Sequence, residues 1–130
     1  MNLDVSILYV AILGLLHVPF TFFVGMYRFR SRISLLDGGD KVLRNRMRAH
    51  ANFTENVPIA LILLLSMDAL GASASWVHSV GAVLVVSRVV HYSVIATNPG
   101  NTPPRFLAMI GTLGAIFASS LWLLSYTFTH

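Results

Sequence analysis

The sequence predicts an all-α integral membrane protein: one domain over residues 1–130, folded as a four-helix bundle with antiparallel neighbours. Three observations carry this. Hydrophobic residues make up 55% of the chain and charged residues only 11%, whereas a soluble domain carries roughly 25% charged residues. Long apolar segments recur, each bounded by turn chemistry. Finally, seven of the nine basic residues fall between Arg28 and Arg48, a juxtamembrane cluster of the kind that fixes topology.

The first span covers about residues 5–28, and Val5 to Tyr27 contains no Asp, Glu, Lys or Arg. About 20 apolar residues cross the hydrocarbon core as a helix, so this run suffices. A cleaved signal peptide is disfavoured, because the leader lacks a basic residue and no small-x-small cleavage site follows. Pro19 lies inside the run, which membrane helices tolerate. The second span covers about 48–68 and the third about 73–96, joined by the small-residue turn Asp-Ala-Leu-Gly-Ala-Ser-Ala-Ser. The fourth covers about 105–128, after Thr-Asn-Pro-Gly-Asn-Thr-Pro-Pro, whose prolines and glycine stop a helix. The first loop is basic and the second has no basic residue, so the first and third loops are expected in the cytoplasm. Both termini then face the opposite side.

Composition also excludes. With no cysteine, disulfides, thiolate metal sites and a cysteine nucleophile are removed together. A net charge of +4 could suit nucleic acid, but the clustering of the basic residues favours a topology signal and no nucleic-acid partner. No His/His or His/acid spacing reads as a metal site. His17 and His78 read as packing residues, and Asp68 as the far end of the second helix. Gly111, Gly114, Ala115 and Ala118 form a small face suited to close helix contact.

The informative stretch is "RMRAHANFTENVP" at 46–58. Arg48, Asn52 and Glu55 are spaced i, i+4, i+7 and share one helical stripe. A carboxylate in lipid costs on the order of 2.5–3.5 kcal/mol on insertion scales, so Glu55 should face protein or a polar cavity. Pro58 lacks an N–H and frees the carbonyl of Thr54. A purely structural reading pairs Glu55 with Arg48 or Arg88. On the third span Arg88 and His91 are at i and i+3. Arg28 ends the first span and Arg105 opens the fourth, although either alone could simply reach the interface. The antiparallel arrangement would bring Arg28, Arg48, Asn52, Glu55, Arg88, His91 and Arg105 to one depth. Several guanidiniums around one acid suit a ligand with several carboxylates and one amine.

These residues resemble the MAPEG family, the membrane-associated proteins in eicosanoid and glutathione metabolism. Arg48, Ala49, His50, Asn52 and Glu55 fit the family's second-helix signature. "GMYRFRSR" is similar to its basic exit from the first helix, "SRVVHY" to its third-helix element, and the prolines before Arg105 to the turn before its fourth helix. The resemblance covers nearly the whole chain. It implies a homotrimer with glutathione as co-substrate, bound between subunits near the cytoplasmic face by Arg28, Arg48, Asn52, Glu55 and His91; Arg88, at the same depth, is expected to join them. It further implies that Arg105 is catalytic and stabilises the thiolate, while a lipophilic small molecule enters from the bilayer. The implied activity is that of a glutathione S-transferase or peroxidase. With no eukaryotic retention tail, a bacterial inner-membrane member is expected.

Three positions depart from members that are polar there: Ile95, Ala51 and Phe106. They favour a second reading, a non-catalytic lipid- or partner-binding protein of the same fold. A proton-coupled carrier relaying through Glu55 and His91 is the weakest reading, since four spans are few for a carrier.

Overall fold

The computed structural model describes residues 3–129, which fold into four long helices. These are α1 (Asp4–Ser31), α2 (Lys41–Ala69), α3 (Ala74–Thr97) and α4 (Thr102–Thr129). Together they form an all-α, membrane-spanning bundle. α1, α3 and α4 are each long and apolar enough to cross a bilayer on length and composition. α2 has the length, but its first turns carry Lys41, Arg44, Arg46 and Arg48.

α2 begins seven residues before the expected 48. Its start is set by Asp40, whose side chain accepts from the amides of Val42 and Leu43 at 2.8 and 2.9 Å. An Asp immediately before a helix satisfies amides that have no intrahelical partner. The Tyr27 hydroxyl donates to the same carboxylate at 3.0 Å and ties the end of α1 to the start of α2. The Leu43 amide foremost, then the Tyr27 hydroxyl and Val42 amide, hold the Asp40 carboxyl below its usual range despite some desolvation. A lowered carboxylate pKa stabilises the fold above the unfolded value of 3.8 and loses that stabilisation as pH falls through the folded one. Asp40→Ala is therefore expected to lower the unfolding midpoint in detergent at neutral pH. Its deficit against wild type should shrink once the pH drops well below 3.8.

The far end of the hairpin is tied as well. Asp68, 8% exposed, accepts from the Ser6 amide at 2.8 Å. Asp68 thus lies in the last turn of α2, as expected, and also supplies an acceptor to the orphan amides of α1. Gly71, with φ of 85°, turns the chain toward α3, where Ser73 caps the Trp76 amide. Pro103 and Pro104 occupy the first turn of α4, where a missing N–H costs nothing.

The core runs along the inner faces of the helices. It includes Leu13 and Phe20 of α1, Phe53, Val57 and Leu64 of α2, Val77 and Leu84 of α3, and Ala115 of α4. Phe20 and Tyr92 stack with centroids 3.6 Å apart, and Phe53 meets Phe20 edge-on. The Tyr92 hydroxyl donates to the Phe20 carbonyl at 3.2 Å. Two glycines allow close approach. Gly81 faces the flat ring of Tyr9, and Gly111 faces Ser87, so that a Cβ at either would collide. Gly114 faces open space, so within the single chain the small face expected on α4 makes contact at Gly111 and Ala115.

Candidate functional site

A polar cluster lies inside the bundle where α2, α3 and α4 meet. Arg88 is 1% exposed and sits nine residues before the end of α3, roughly 14 Å of helix from that end. Its Nη1 donates to Asn52 Oδ1 at 2.7 Å, and its Nη2 approaches the Met109 sulfur at 3.9 Å. The short contact is a charge-assisted bond; the sulfur is a weak acceptor. Arg88 Nε is the only buried side-chain nitrogen or oxygen among the described residues without a partner. Native proteins rarely leave such a donor unsatisfied.

His91, 5% exposed, follows one turn later on α3 and feels the charges of both Arg88 and Arg105. Arg105, at the start of α4, donates from Nη1 to the Pro99 carbonyl at 3.1 Å. That bond fastens it to the turn before its own helix and uses only one of its five donors. Asn52, Arg88, His91 and Arg105 thus gather in one region from three helices.

The remaining expected residues stand elsewhere. Arg48 and Glu55 lie on the exposed outer face of α2. Neither forms an ion pair; among the described residues the ion pair within 4.0 Å is Arg44–Asp37, at 3.6 Å. The structural pairing of Glu55 with Arg48 or Arg88 is therefore corrected: the inward partner of Arg88 is Asn52. Helical geometry explains why. At about 100° per residue, Arg48 and Glu55 are rotated roughly 40° and 60° from Asn52 in the same direction. That rotation carries both away from Ala49, Phe53 and Ala60, which are buried. Arg28 is turned toward the basic loop, donating to the Leu36 carbonyl at 2.7 Å and contacting the Met47 sulfur at 3.1 Å.

Sequence reasoning gave no role to a second polar seam between α1 and α2. Thr21 Oγ1 lies 3.3 Å from His17 Nε2 and 3.0 Å from His50 Nε2, so His17, whose ring also packs 6.0 Å from that of Phe53, does more than pack. Arg46 lies over the Tyr27 ring at 4.7 Å. The available signal was that Arg46, His50 and Phe53 also recur at i, i+4, i+7. His78, also assigned to packing, contacts the Tyr9 hydroxyl at 3.0 Å.

The chemistry of the donors fits an anionic, multidentate ligand. Arg88 presents a free N–H from a desolvated guanidinium, and Arg105 keeps most of its fork free. Arg48 and Glu55 stand unpaired on the same helix as Asn52.

The chain is 40% identical over 88 residues to Inner membrane protein YecN of Escherichia coli strain K12, covering 68% of this chain and 67% of that protein. The same values hold for Inner membrane protein YecN of Escherichia coli O6:H1 strain CFT073. The MAPEG family pattern matches residues 6–125, nearly the full bundle. This chain belongs to the MAPEG family.

Proposed function

We propose that the protein is a membrane-bound glutathione-dependent transferase or peroxidase acting on lipophilic electrophiles in a bacterial inner membrane. It would work as a homotrimer of antiparallel bundles, with glutathione held between adjacent subunits at the cytoplasmic side and both termini on the other side. The observation that carries this reading is Arg88. It is a buried guanidinium with one oxygen partner and a free Nε–H, next to His91 and within electrostatic reach of Arg105. Removing a charge from water costs several kcal/mol, and packing alone gives no reason to bear that cost.

Glu55 supports the assembly. It is an exposed carboxylate on the outer face of α2, together with Arg48, and in lipid such a group calls for a protein neighbour. A second subunit would cover both. In this arrangement Arg28, Arg48 and Arg88 bind carboxylates, Glu55 receives the ammonium, and Asn52 and His91 hydrogen-bond the backbone. Arg105 holds the sulfur as thiolate, because a cation beside a thiol lowers its pKa and raises the fraction of nucleophile at neutral pH.

Ultraviolet absorbance of bound glutathione thiolate tests the role of Arg105. Arg105→Ala is expected to lower the thiolate fraction at neutral pH about tenfold, equivalent to roughly one pKa unit, with Arg105→Lys recovering part of it. Equal thiolate signals in wild type and Arg105→Ala would remove Arg105 from the mechanism.

A second reading is a non-catalytic binder of lipid or of a partner. It draws on Phe106, which follows Arg105 and is 61% exposed, and on Ile95, which packs against the core. Neither offers a polar contact to a ligand. Titration calorimetry separates the readings: no heat of binding across millimolar glutathione would favour the second.

A further inference from the structure

Away from the Arg88 cluster, α1 and α2 leave a groove of about 240 Å³ between them. Its lining includes Leu13, Gly14, His17, Phe53, Thr54 and Pro58, and no Asp, Glu, Lys or Arg. At about 30 Å³ per water, the space takes a polar head and a few carbons. The rest of a longer molecule would lie along the bundle in the bilayer.

The polar groups of the groove are unevenly matched. Pro58 has no N–H, so the Thr54 carbonyl lacks its i+4 donor. The Thr54 hydroxyl already donates to the Ala51 carbonyl at 2.9 Å, which leaves its oxygen as an acceptor too. At the other side stands His17, whose Nε2 contacts Thr21 Oγ1, while the same oxygen contacts His50 Nε2. The threonine has one proton and can give it to only one ring, so the other ring must donate. Two chains are self-consistent: His50 donates to Thr21 and Thr21 to His17 Nε2, which leaves a proton on His17 Nδ1, or the direction is reversed, which leaves a lone pair there. In either chain no described residue partners His17 Nδ1.

We propose that this groove binds a neutral lipophile bearing a hydroxyl group. The hydroxyl oxygen accepts from His17 Nδ1–H, its proton goes to the Thr54 carbonyl, and the hydrocarbon lies against Leu13 and Phe53. A hydroxyl is both donor and acceptor, so it can partner His17 Nδ1 in either tautomer. A carboxylate would meet unpaired acceptors, and an ammonium would find no anion. The groove shares no residue with the proposed glutathione site, so the two readings stand or fall separately.

The lining also contains its own plug. A Cβ added at Gly14 meets no atom within 4 Å, so a side chain can start there and extend into the groove. The test uses the protein in lipid nanodiscs and a long-chain alcohol carrying a photoreactive diazirine. The matched methyl ether and carboxylic acid serve as comparators. Mass spectrometry of the products should place the alcohol on residues 10–17 and 53–61. Labelling there should fall about fivefold for the ether and the acid, the scale of one lost hydrogen bond. It should fall at least as far for the alcohol in Gly14→Leu and in His17→Leu, with Gly14→Ala retaining helix content and particle size. Equal labelling by alcohol and ether would overturn the proposal, as would labelling unchanged in the two variants. So would absence of label from the groove because a neighbouring copy covers it. If Gly14→Leu fails to fold, the ether comparison and His17→Leu decide the matter.

Discussion

Asn52→Leu is expected to destabilise the bundle more than removal of the arginine it contacts. Asn52 Oδ1 is the oxygen to which the buried Arg88 guanidinium donates, at 2.7 Å, and the other contact is a sulfur at 3.9 Å. Leucine at 52 would leave a charge in the bundle with no oxygen acceptor, a situation that costs about 3–5 kcal/mol. Arg88→Met removes the charge and orphans only a neutral amide, at about 1–3 kcal/mol. The double variant Asn52→Leu/Arg88→Met should be more stable than Asn52→Leu alone, because both polar partners then leave together. Unfolding titrations in mixed micelles, followed by circular dichroism, give the three values. A double variant no more stable than Asn52→Leu would mean that Arg88 finds other partners.

The second large effect is expected at Gly81. Valine there would drive a methyl group into the Tyr9 ring. The ring cannot swing aside freely, since its hydroxyl is bonded to the His78 carbonyl at 3.0 Å and contacts His78 Nδ1 at 3.0 Å. Overpacking of this kind costs about 1–3 kcal/mol, and displacing the ring adds about 1 kcal/mol for the lost hydrogen bond. Gly81→Val should therefore lower the thermal midpoint sharply, and Tyr9→Leu introduced beside it should restore part of the loss. A midpoint unchanged by Gly81→Val would show that α1 and α3 can separate at this crossing without cost.

Much of the fold could be read before any coordinates. Apolar length located α1, α3 and α4, and Asn-Pro-Gly with the paired prolines marked the turn before α4. Hydropathy puts the start of α2 at 48, because it stops reporting helix where arginines begin. The helix itself does not stop there: Asp40 after two glycines is a capping signal independent of hydropathy. For the site, the spacing of Arg48, Asn52 and Glu55 put them on one stripe. A stripe has width, however, and only its Asn52 edge turns toward α3. Periodicity alone cannot resolve a rotation of 40–60°, and that rotation decides which residue meets Arg88 and which faces outward. The Asp68–Ser6 and Thr21–His50 contacts were hidden for a different reason. Each joins residues on separate helices whose rotation about their axes is set by packing.

The two aspartates at the ends of the α1–α2 pair have a consequence for how the protein fits its membrane. Asp40 and Asp68 are separated by 28 positions on one helix, about 42 Å at 1.5 Å per residue. A bilayer with its headgroup regions measures roughly 40–45 Å. The length of the hairpin therefore matches that thickness, with a carboxylate at each end. In a thinner or thicker bilayer one carboxylate would be displaced from headgroup level, loading its hydrogen bond to Tyr27 or Ser6 before the apolar core is disturbed.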